Sequence, residues 1–161
     1  MLIKEKQHRL SENDYKGEVS VSFTLCVKDR VRLFRDESIV ADFRNILANL
    51  IDRFSCIIPI YCFMPDHQHV LVIGIKEKAD TLSFIKAYKQ STGFWLSKNK
   101  IDARWQKDFF DHIVRKEENL VNVIKYILDN PVRKGLVENW QDYPFKGAIG
   151  CDLEEILQSL V

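Results

Sequence analysis

The sequence predicts an α+β fold of ferredoxin-like (RRM-like) type, in which an antiparallel sheet has helices packed on one face. The first observation is a central pair of apolar, β-branched runs around a Met-Pro-Asp corner, which is typical of a β-hairpin. The second is that long segments on both sides of it repeat apolar residues every three or four positions, as amphipathic helices do. The predicted order is βαββα followed by a strand and a helix. One face of the sheet should stay open, and we expect a functional site there.

The first half of the chain is predicted to be an arm, a strand, a helix and the hairpin. Residues 1–17 are polar and charged, and should be irregular. Residues 19–27 are rich in β-branched side chains and predict a strand. Residues 38–54 carry one apolar stripe and predict a helix. The hairpin occupies residues 57–74.

The second half is predicted to add two long helices, one strand and a tail. Helical spacing covers about residues 80–99, and an apolar strand is expected at 105–114. A third helix should start near 117 and end by residue 130, because Pro131 disfavours helical geometry in the residue before it. A short helix at 152–160 should close the tail.

Composition limits the kind of protein. The chain has 161 residues, enough for one domain with a substantial core. Its net charge is +1, so any nucleic-acid surface must be a local patch. The four cysteines lack C-x-x-C spacing and are typical of buried, reduced thiols. Neither a signal peptide nor a membrane span is evident, so we expect a soluble, cytoplasmic protein without a membrane partner.

Two histidines open the second strand of the hairpin. His67 and His69 are two residues apart, so both side chains should point to the same face, about 7 Å apart along the backbone. At that separation they could hold one cation. A solvated or hydrogen-bonded pair is the alternative, and a metal site would need a third ligand from elsewhere in the chain.

The third helix carries a second set of candidate residues. Tyr126 and Asn130 are four apart and lie on the same helical face. The amide oxygen of Asn130 can bind a hard cation such as magnesium. Tyr126 could act as a nucleophile on phosphorus once a cation or base assists its deprotonation. The alternative is a tyrosine that is held in place by packing and one hydrogen bond.

Five blocks of the sequence occur together in one known family. They are 64–72 (MPDHQHVLV), 105–106 (WQ), 111–115 (DHIVR), 126–137 (YILDNPVRKGLV) and 143–145 (YPF). With these blocks the chain resembles the IS200/IS605-type tyrosine (HUH, Y1) transposases, and among them the REP-associated branch. The resemblance spans about residues 19–146. It implies a single Y1 transposase-like domain over residues 1–161, with the tail 147–161 packing on its core.

The resemblance implies a metal-dependent single-stranded DNA endonuclease and strand transferase. His67 and His69 would bind Mg²⁺ or Mn²⁺, Asn130 would assist as a polar ligand, and Tyr126 would form a 5′-phosphotyrosine. The implied partner is single-stranded DNA that forms REP-like hairpins. The resemblance also implies a bacterial protein that associates with the nucleoid when it acts. Its oligomeric state, monomer or homodimer, is left open.

One residue departs from the family pattern. The position between the two histidines is usually a bulky hydrophobic residue, and here it is Gln68. Its side chain should point away from the histidines, and it would need a hydrogen-bond partner if buried. A non-catalytic or domesticated binder of DNA hairpins is therefore kept as the alternative. A zinc hydrolase site is a further alternative, but Cys62 is expected to have the wrong strand parity to join the histidines.

Several cations and aromatic residues are candidates for DNA contact. The cations near the second and third helices are Lys86, Lys89, Arg104, Arg133 and Lys134. They could bind phosphates, or they could simply be solvated. The aromatic candidates for base stacking are Tyr88, Trp95 and Trp105, for which core packing is the alternative. His112 is expected to have a second-shell or structural role, held by a carboxylate or a backbone group.

Overall fold

The structure is a computed structural model that describes residues 11–115 and 118–159. Its strands and helices, in chain order, are β1 (Ser20–Cys26), α1 (Glu37–Phe54), β2 (Cys56–Met64), β3 (His67–Gly74), α2 (Thr81–Lys98), β4 (Phe110–Val114), α3 (Leu120–Arg133), β5 (Lys146–Ile149) and α4 (Leu153–Ser159). None of the helices in these ranges has both the length and the hydropathy to cross a bilayer.

The sheet is antiparallel and has the strand order β4-β1-β3-β2-β5. β3 is therefore the central strand, hydrogen-bonded on both edges. A two-residue corner joins β2 to β3, so that Met64 pairs with His67. The predicted α+β class and the central hairpin are confirmed.

The two faces of the sheet have different covers. Phe23 and Val70 point toward α1 and α2 and belong to the larger core. Leu71 points the other way, into a second cluster with Ile124 and Leu128 of α3. The face that we expected to be open is thus partly covered by α3 and by α4, which contacts β2. This arrangement brings α3 onto the face that carries the histidines.

Side-chain caps set where the long helices begin. Asp36 accepts a hydrogen bond from the backbone N–H of Ser38 at the start of α1. Asp80 caps α2 through Ser83 in the same way, and Asn119 caps α3. Each cap satisfies an N–H group that has no partner inside its helix. α1 and α2 lie within about two residues of their predicted limits.

The last predicted strand is shorter than expected. β4 starts at Phe110, not at residue 105. Trp105 makes only an isolated backbone bridge to Val27, and its side chain is buried. Its indole Nε1 donates a hydrogen bond to Thr92 of α2. The apolar residues at the start of this segment therefore fill the core rather than extend the sheet.

The third helix does not end at Asn130. It continues through Pro131 to Arg133. Pro131 has no N–H and so removes one hydrogen bond of the helix ladder, and the helix ends two residues later. The N–H groups of Lys134 and Leu136 bond to the carbonyls of Asn130 and Pro131 and close that turn. The predicted start near residue 117 lies outside the described residues, and α3 begins at Leu120.

Both ends of the described chain are more ordered than predicted. Residues 12–15 form a 3-10 helix, and buried Tyr15 donates a hydrogen bond to Asp111. The rest of the predicted arm, 1–10, lies outside the described residues. β5 was not predicted, because four residues that include Gly147 give little strand pattern. The predicted helix at 152–160 is present as α4.

A side chain at Gly74 is expected to destabilise the fold, since an added Cβ would clash with the carbonyl oxygen of Gly17. Gly74→Ala should lower the free energy of unfolding by about 2 kcal/mol or more, as overpacking does. Gly93→Ala is the matched control, because nothing lies within 4 Å of its added Cβ in α2. It should raise stability by roughly 0.5–1 kcal/mol. Urea denaturation measures both, and equal effects would contradict the prediction.

Candidate active site

The two histidines of β3 share one face and lie side by side. The ring centroids of His67 and His69 are 5.0 Å apart, and their planes are nearly perpendicular. The alternation of side chains along a strand accounts for the shared face. The predicted pairing of the two imidazoles is therefore present in the fold.

Each imidazole is oriented through its Nδ1 atom. Asp66 Oδ1 lies 2.6 Å from Nδ1 of His67, and Thr24 Oγ1 lies 3.0 Å from Nδ1 of His69. When Nδ1–H donates to these oxygens, the lone pair of the neutral ring is on Nε2. This is the support that metal-binding histidines commonly have. Arg30 adds an ion pair to this arrangement, because its guanidinium lies 3.6 Å from Asp66 Oδ1.

Both histidines favour the neutral form. Burial lowers the pKa of His69 to about 3, and the nearby His67 and Arg133 act in the same direction. Burial also lowers the pKa of His67, although the hydrogen bond and charge of Asp66 oppose that shift. Neutral imidazoles are the form that binds metal ions.

Helix α3 places Tyr126 beside this pair. Tyr126 and His69 line the same cavity, of about 570 Å³, between α3 and the strands β1 and β4. Ser22 and Thr24 of β1 also line it. These side chains are small, so they leave space between the sheet and the helix. Tyr126 is 59% exposed at the edge of that space.

Asn130 lies between Tyr126 of α3 and Lys134, the C-cap residue of that helix. Tyr126, Asn130 and Lys134 are spaced by four and occupy one side of the helix. Tyr126 shares a cavity with His69, and Lys134 shares a separate one with His67. Asn130 is buried one turn from each, and its role as a metal ligand stays a prediction.

Arg133 holds Tyr126 from two directions. Its guanidinium carbon lies 4.0 Å from the centroid of the Tyr126 ring. One of its nitrogens donates to the Tyr126 carbonyl at 2.9 Å, and another lies 3.3 Å from Asp129. Such stacking restrains the ring and places a positive charge beside the phenol. The sequence put Arg133 among the DNA-binding candidates and did not predict this contact.

His112 lines the cavity of Tyr126 from β4. Its Nε2 lies 2.7 Å from Glu118 Oε2, so a carboxylate holds it, as expected. This bond also lowers the pKa of Glu118. A second-shell role for His112 stays a prediction.

Gln68 points to the opposite face, as its strand position predicts. It is fully buried under α2, where its Oε1 accepts a hydrogen bond of 2.5 Å from the Tyr88 hydroxyl. Burial raises the pKa of Tyr88, which keeps this donor protonated. Within the described residues, Gln68 Nε2 has no hydrogen-bond partner. Gln68 is thus a core residue and leaves the histidine face unobstructed.

The expected orientation of Cys62 was wrong. The two-residue corner makes Cys62 pair directly with His69, so both point to the same face. Burial raises the pKa of its thiol to about 12, so it remains protonated at neutral pH. Among residues 11–115 and 118–159, no three His, Cys, Asp or Glu side chains are grouped to hold a metal. Any metal here would need an oxygen ligand such as Asn130.

The predicted DNA-binding cations occupy different surfaces. Lys86 is exposed on α2, behind the sheet as seen from the histidines. Lys89 donates to the carbonyls of Gln106 and Lys107, at 2.8 and 2.9 Å, and thereby fixes that loop. Arg104 is exposed at the exit of β1, where its carbonyl accepts from Lys28. DNA contact by these side chains stays a prediction.

Two of the proposed stacking platforms are core residues. Tyr88 is fully buried and Trp105 nearly so, and both rings contact Phe43. The sequence also missed three exposed arginines, Arg30, Arg32 and Arg35, which line a cavity together with His67. Their spacing in the sequence has no helix or strand period, so the sequence did not group them. In the fold they lie together beside the β2–β3 corner.

The family of the chain follows from comparison with known proteins. The family model described as "Transposase IS200 like" matches residues 16–130. The chain therefore belongs to the IS200-like transposase family.

The sequence identity to individual relatives is low. A Haemophilus influenzae protein provisionally assigned as a REP-associated tyrosine transposase is 28% identical over 137 residues, which is 76% of each chain. An uncharacterized protein of the same organism is 23% identical over 155 residues, covering 77% of this chain and 86% of the other. A solved REP-associated tyrosine transposase bound to a REP hairpin matches with a TM-score of 0.74 at 19% identity. The match covers 97% of this chain and 88% of that one. This last likeness establishes the fold.

The Gln68–Tyr88 pair yields a test of core energetics. Tyr88→Phe should lower the free energy of unfolding by about 1–3 kcal/mol, since it leaves both amide atoms of Gln68 buried without a partner. Adding Gln68→Leu should recover much of that loss, because the double variant has no orphaned polar group. Urea denaturation of the two single variants and the double variant measures this. A double variant as unstable as the sum of the two would contradict it.

His69 yields a pH test. Its pKa is near 3 in the folded chain and near 6.5 when unfolded, so its stabilising contribution is complete above 6.5 and is lost as the pH falls toward 3. From pH 7.5 to 4.5 the unfolding free energy should fall by about 2.5 kcal/mol through this residue. His69→Gln should remove that part of the slope, and His112→Gln, on β4, should keep it. A slope that is unchanged in His69→Gln would contradict the assignment.

Proposed function

We propose that this chain is a metal-dependent single-stranded DNA endonuclease and strand transferase that forms a 5′-phosphotyrosine through Tyr126. The observation that carries the proposal is the selective exposure of this phenol. All five tyrosines lie within the described residues, and the other four are buried. The exposed one shares a cavity with His69 in a member of a transposase family. We further propose that residues 1–161 act as one domain.

His67, His69 and Asn130 are the proposed metal ligands. Two neutral imidazoles held through Nδ1 offer nitrogen donors, and the buried amide a turn from Tyr126 offers the oxygen donor that a hard divalent cation such as Mg²⁺ or Mn²⁺ prefers. When bound, the ion would polarise the scissile phosphate and offset the charge that develops there. The residues around the site hold both rings in place before any ligand arrives.

The proposed reaction is one transesterification. The Tyr126 hydroxyl loses its proton, and its oxygen bonds to phosphorus as the bond to the 3′ oxygen of the preceding nucleotide breaks. The 3′ oxygen takes up a proton and leaves as a free hydroxyl, while the 5′ phosphate stays on the tyrosine. Attack of a 3′ hydroxyl on this linkage reverses the step and joins strands. Arg133 keeps the ring oriented and places positive charge beside it.

The proposed partner is single-stranded DNA that folds into hairpins. A relative of the same fold was solved with a REP hairpin bound, which supports this choice. We propose that Arg104 and Lys134, at the end of the sheet that carries the histidines, contribute phosphate contacts. Action at the bacterial nucleoid follows from such a partner.

Incubation with hairpin DNA from the flanks of its own gene should give a covalent protein–DNA band on a denaturing gel, when magnesium or manganese is present. Tyr126→Phe should abolish the band while leaving hairpin binding within about twofold, because only the nucleophilic oxygen is lost. Tyr61→Phe is the matched control and should retain the band.

Two outcomes would contradict the proposal. A band that persists in Tyr126→Phe would assign the nucleophile to another residue. A hairpin that shifts on a native gel but forms no covalent band with either metal would favour the non-catalytic binder.

A further inference from the structure

A basic groove lies on the His67 side of the candidate active site. It has a volume of about 700 Å³, and the residues that carry its charge are Arg30, Arg32, Arg35, Lys134 and Asp66. Four cations thus face one carboxylate. The whole chain has a net charge of only +1, so this concentration of positive charge is local. Such a patch favours a polyanion.

The arginines are presented by a loop with an unusual backbone. Asp29 and Arg30 both have positive φ angles, near 58° and 54°. Non-glycine residues adopt this conformation at a cost, and it persists only where the surrounding structure enforces it. Here the Arg30 N–H bonds to the Val27 carbonyl, and the Val27 N–H bonds to the Asp66 carbonyl. The loop is therefore tied to the corner that precedes His67.

Phe34 anchors the rest of this loop. Its ring is buried against Phe43 and Phe63, and its N–H bonds to the Pro65 carbonyl. Arg32 and Arg35 flank this anchor and are exposed. Within residues 11–115 and 118–159, neither of them has an acidic side chain within salt-bridge distance. Two cations on a fixed loop without carboxylate partners remain available for phosphate oxygens.

The groove and the Tyr126 cavity are lined by different members of the histidine pair. His69 lines the cavity that contains Tyr126, whereas His67 lines the groove that contains Lys134. A scissile phosphate beside the two histidines would therefore lie between the cavity of the nucleophile, at His69, and the groove, at His67. In phosphoryl transfer the leaving oxygen lies opposite the attacking oxygen.

We infer that this groove binds the phosphates of the single-stranded segment on the 5′ side of the scissile phosphate, the segment that leaves with a 3′ hydroxyl. The inference rests on the proposed function for its strand polarity, because a 5′-phosphotyrosine makes the 3′ oxygen the leaving group. Arg32 and Arg35 are the principal phosphate contacts. Arg30 contributes both to the groove and to the histidine pair. It lines the groove, and its guanidinium contacts Asp66, the hydrogen-bond partner of His67.

The salt dependence of binding tests the groove without any cleavage. In a Tyr126→Phe background, Arg32→Gln/Arg35→Gln should weaken binding of a fluorescent oligo(dT) strand by about tenfold at moderate salt, and should reduce the log–log salt slope by about 1–1.5. Arg44→Gln/Arg53→Gln removes the same charge from exposed positions of α1 and should change affinity by less than about twofold. Thermal denaturation verifies that both double variants fold. An unchanged slope in the groove variant would overturn the assignment.

Neutral methylphosphonate linkages test the polarity. The cleavage point is taken from the covalent assay, and neutral linkages are placed on either its 5′ or its 3′ side. Substitution on the 5′ side should weaken binding to chains with the intact groove and have little further effect on the groove variant. If neutral linkages on the 3′ side, rather than the 5′ side, weaken binding only to chains with the intact groove, the proposed polarity is overturned. A chain that forms no covalent complex overturns the proposed function and the polarity together, and the salt slope still decides the groove.

Discussion

The candidate site depends on the alternation of side chains along β3. This strand is central and pairs with β1 at seven positions, from Ser20 opposite Ile73 to Cys26 opposite His67. A slip of one residue would move every side chain to the other face. His67 and His69 would then be buried under α1 and α2, and Gln68 would face α3. The site therefore exists only in the observed register of the sheet.

Helix α3 supplies the other half of the site through the same kind of constraint. Its apolar residues Ile124, Ile127 and Leu128 pack on the sheet and determine how the helix is rotated. That rotation places Tyr126 in the cavity that His69 also lines, and it leaves Asn130, one turn later, buried. The site is thus assembled where two regular elements pack together, which holds its side chains more firmly than a loop would.

The sequence predicted those parts of the site that a local period determines. Spacing by two placed the histidines on one face, and spacing by four aligned Tyr126 with Asn130. Contacts between distant segments were not predictable, such as Thr24 behind His69 or Tyr88 on Gln68, because they depend on strand pairing and on helix packing. Cys62 was assigned to the wrong face because the length of the corner, which sets the register of β2 against β3, was not known.

The sheet ends in short strands on both sides. Among the described residues, β4 and β5 are its outer strands, with five and four residues. Long unpaired edges are templates for further strand pairing, and short ones give few hydrogen bonds to another chain. Two copies of this protein would accordingly gain little by joining their sheets into one. The limited edge also protects a sheet with two apolar faces from edge-to-edge aggregation.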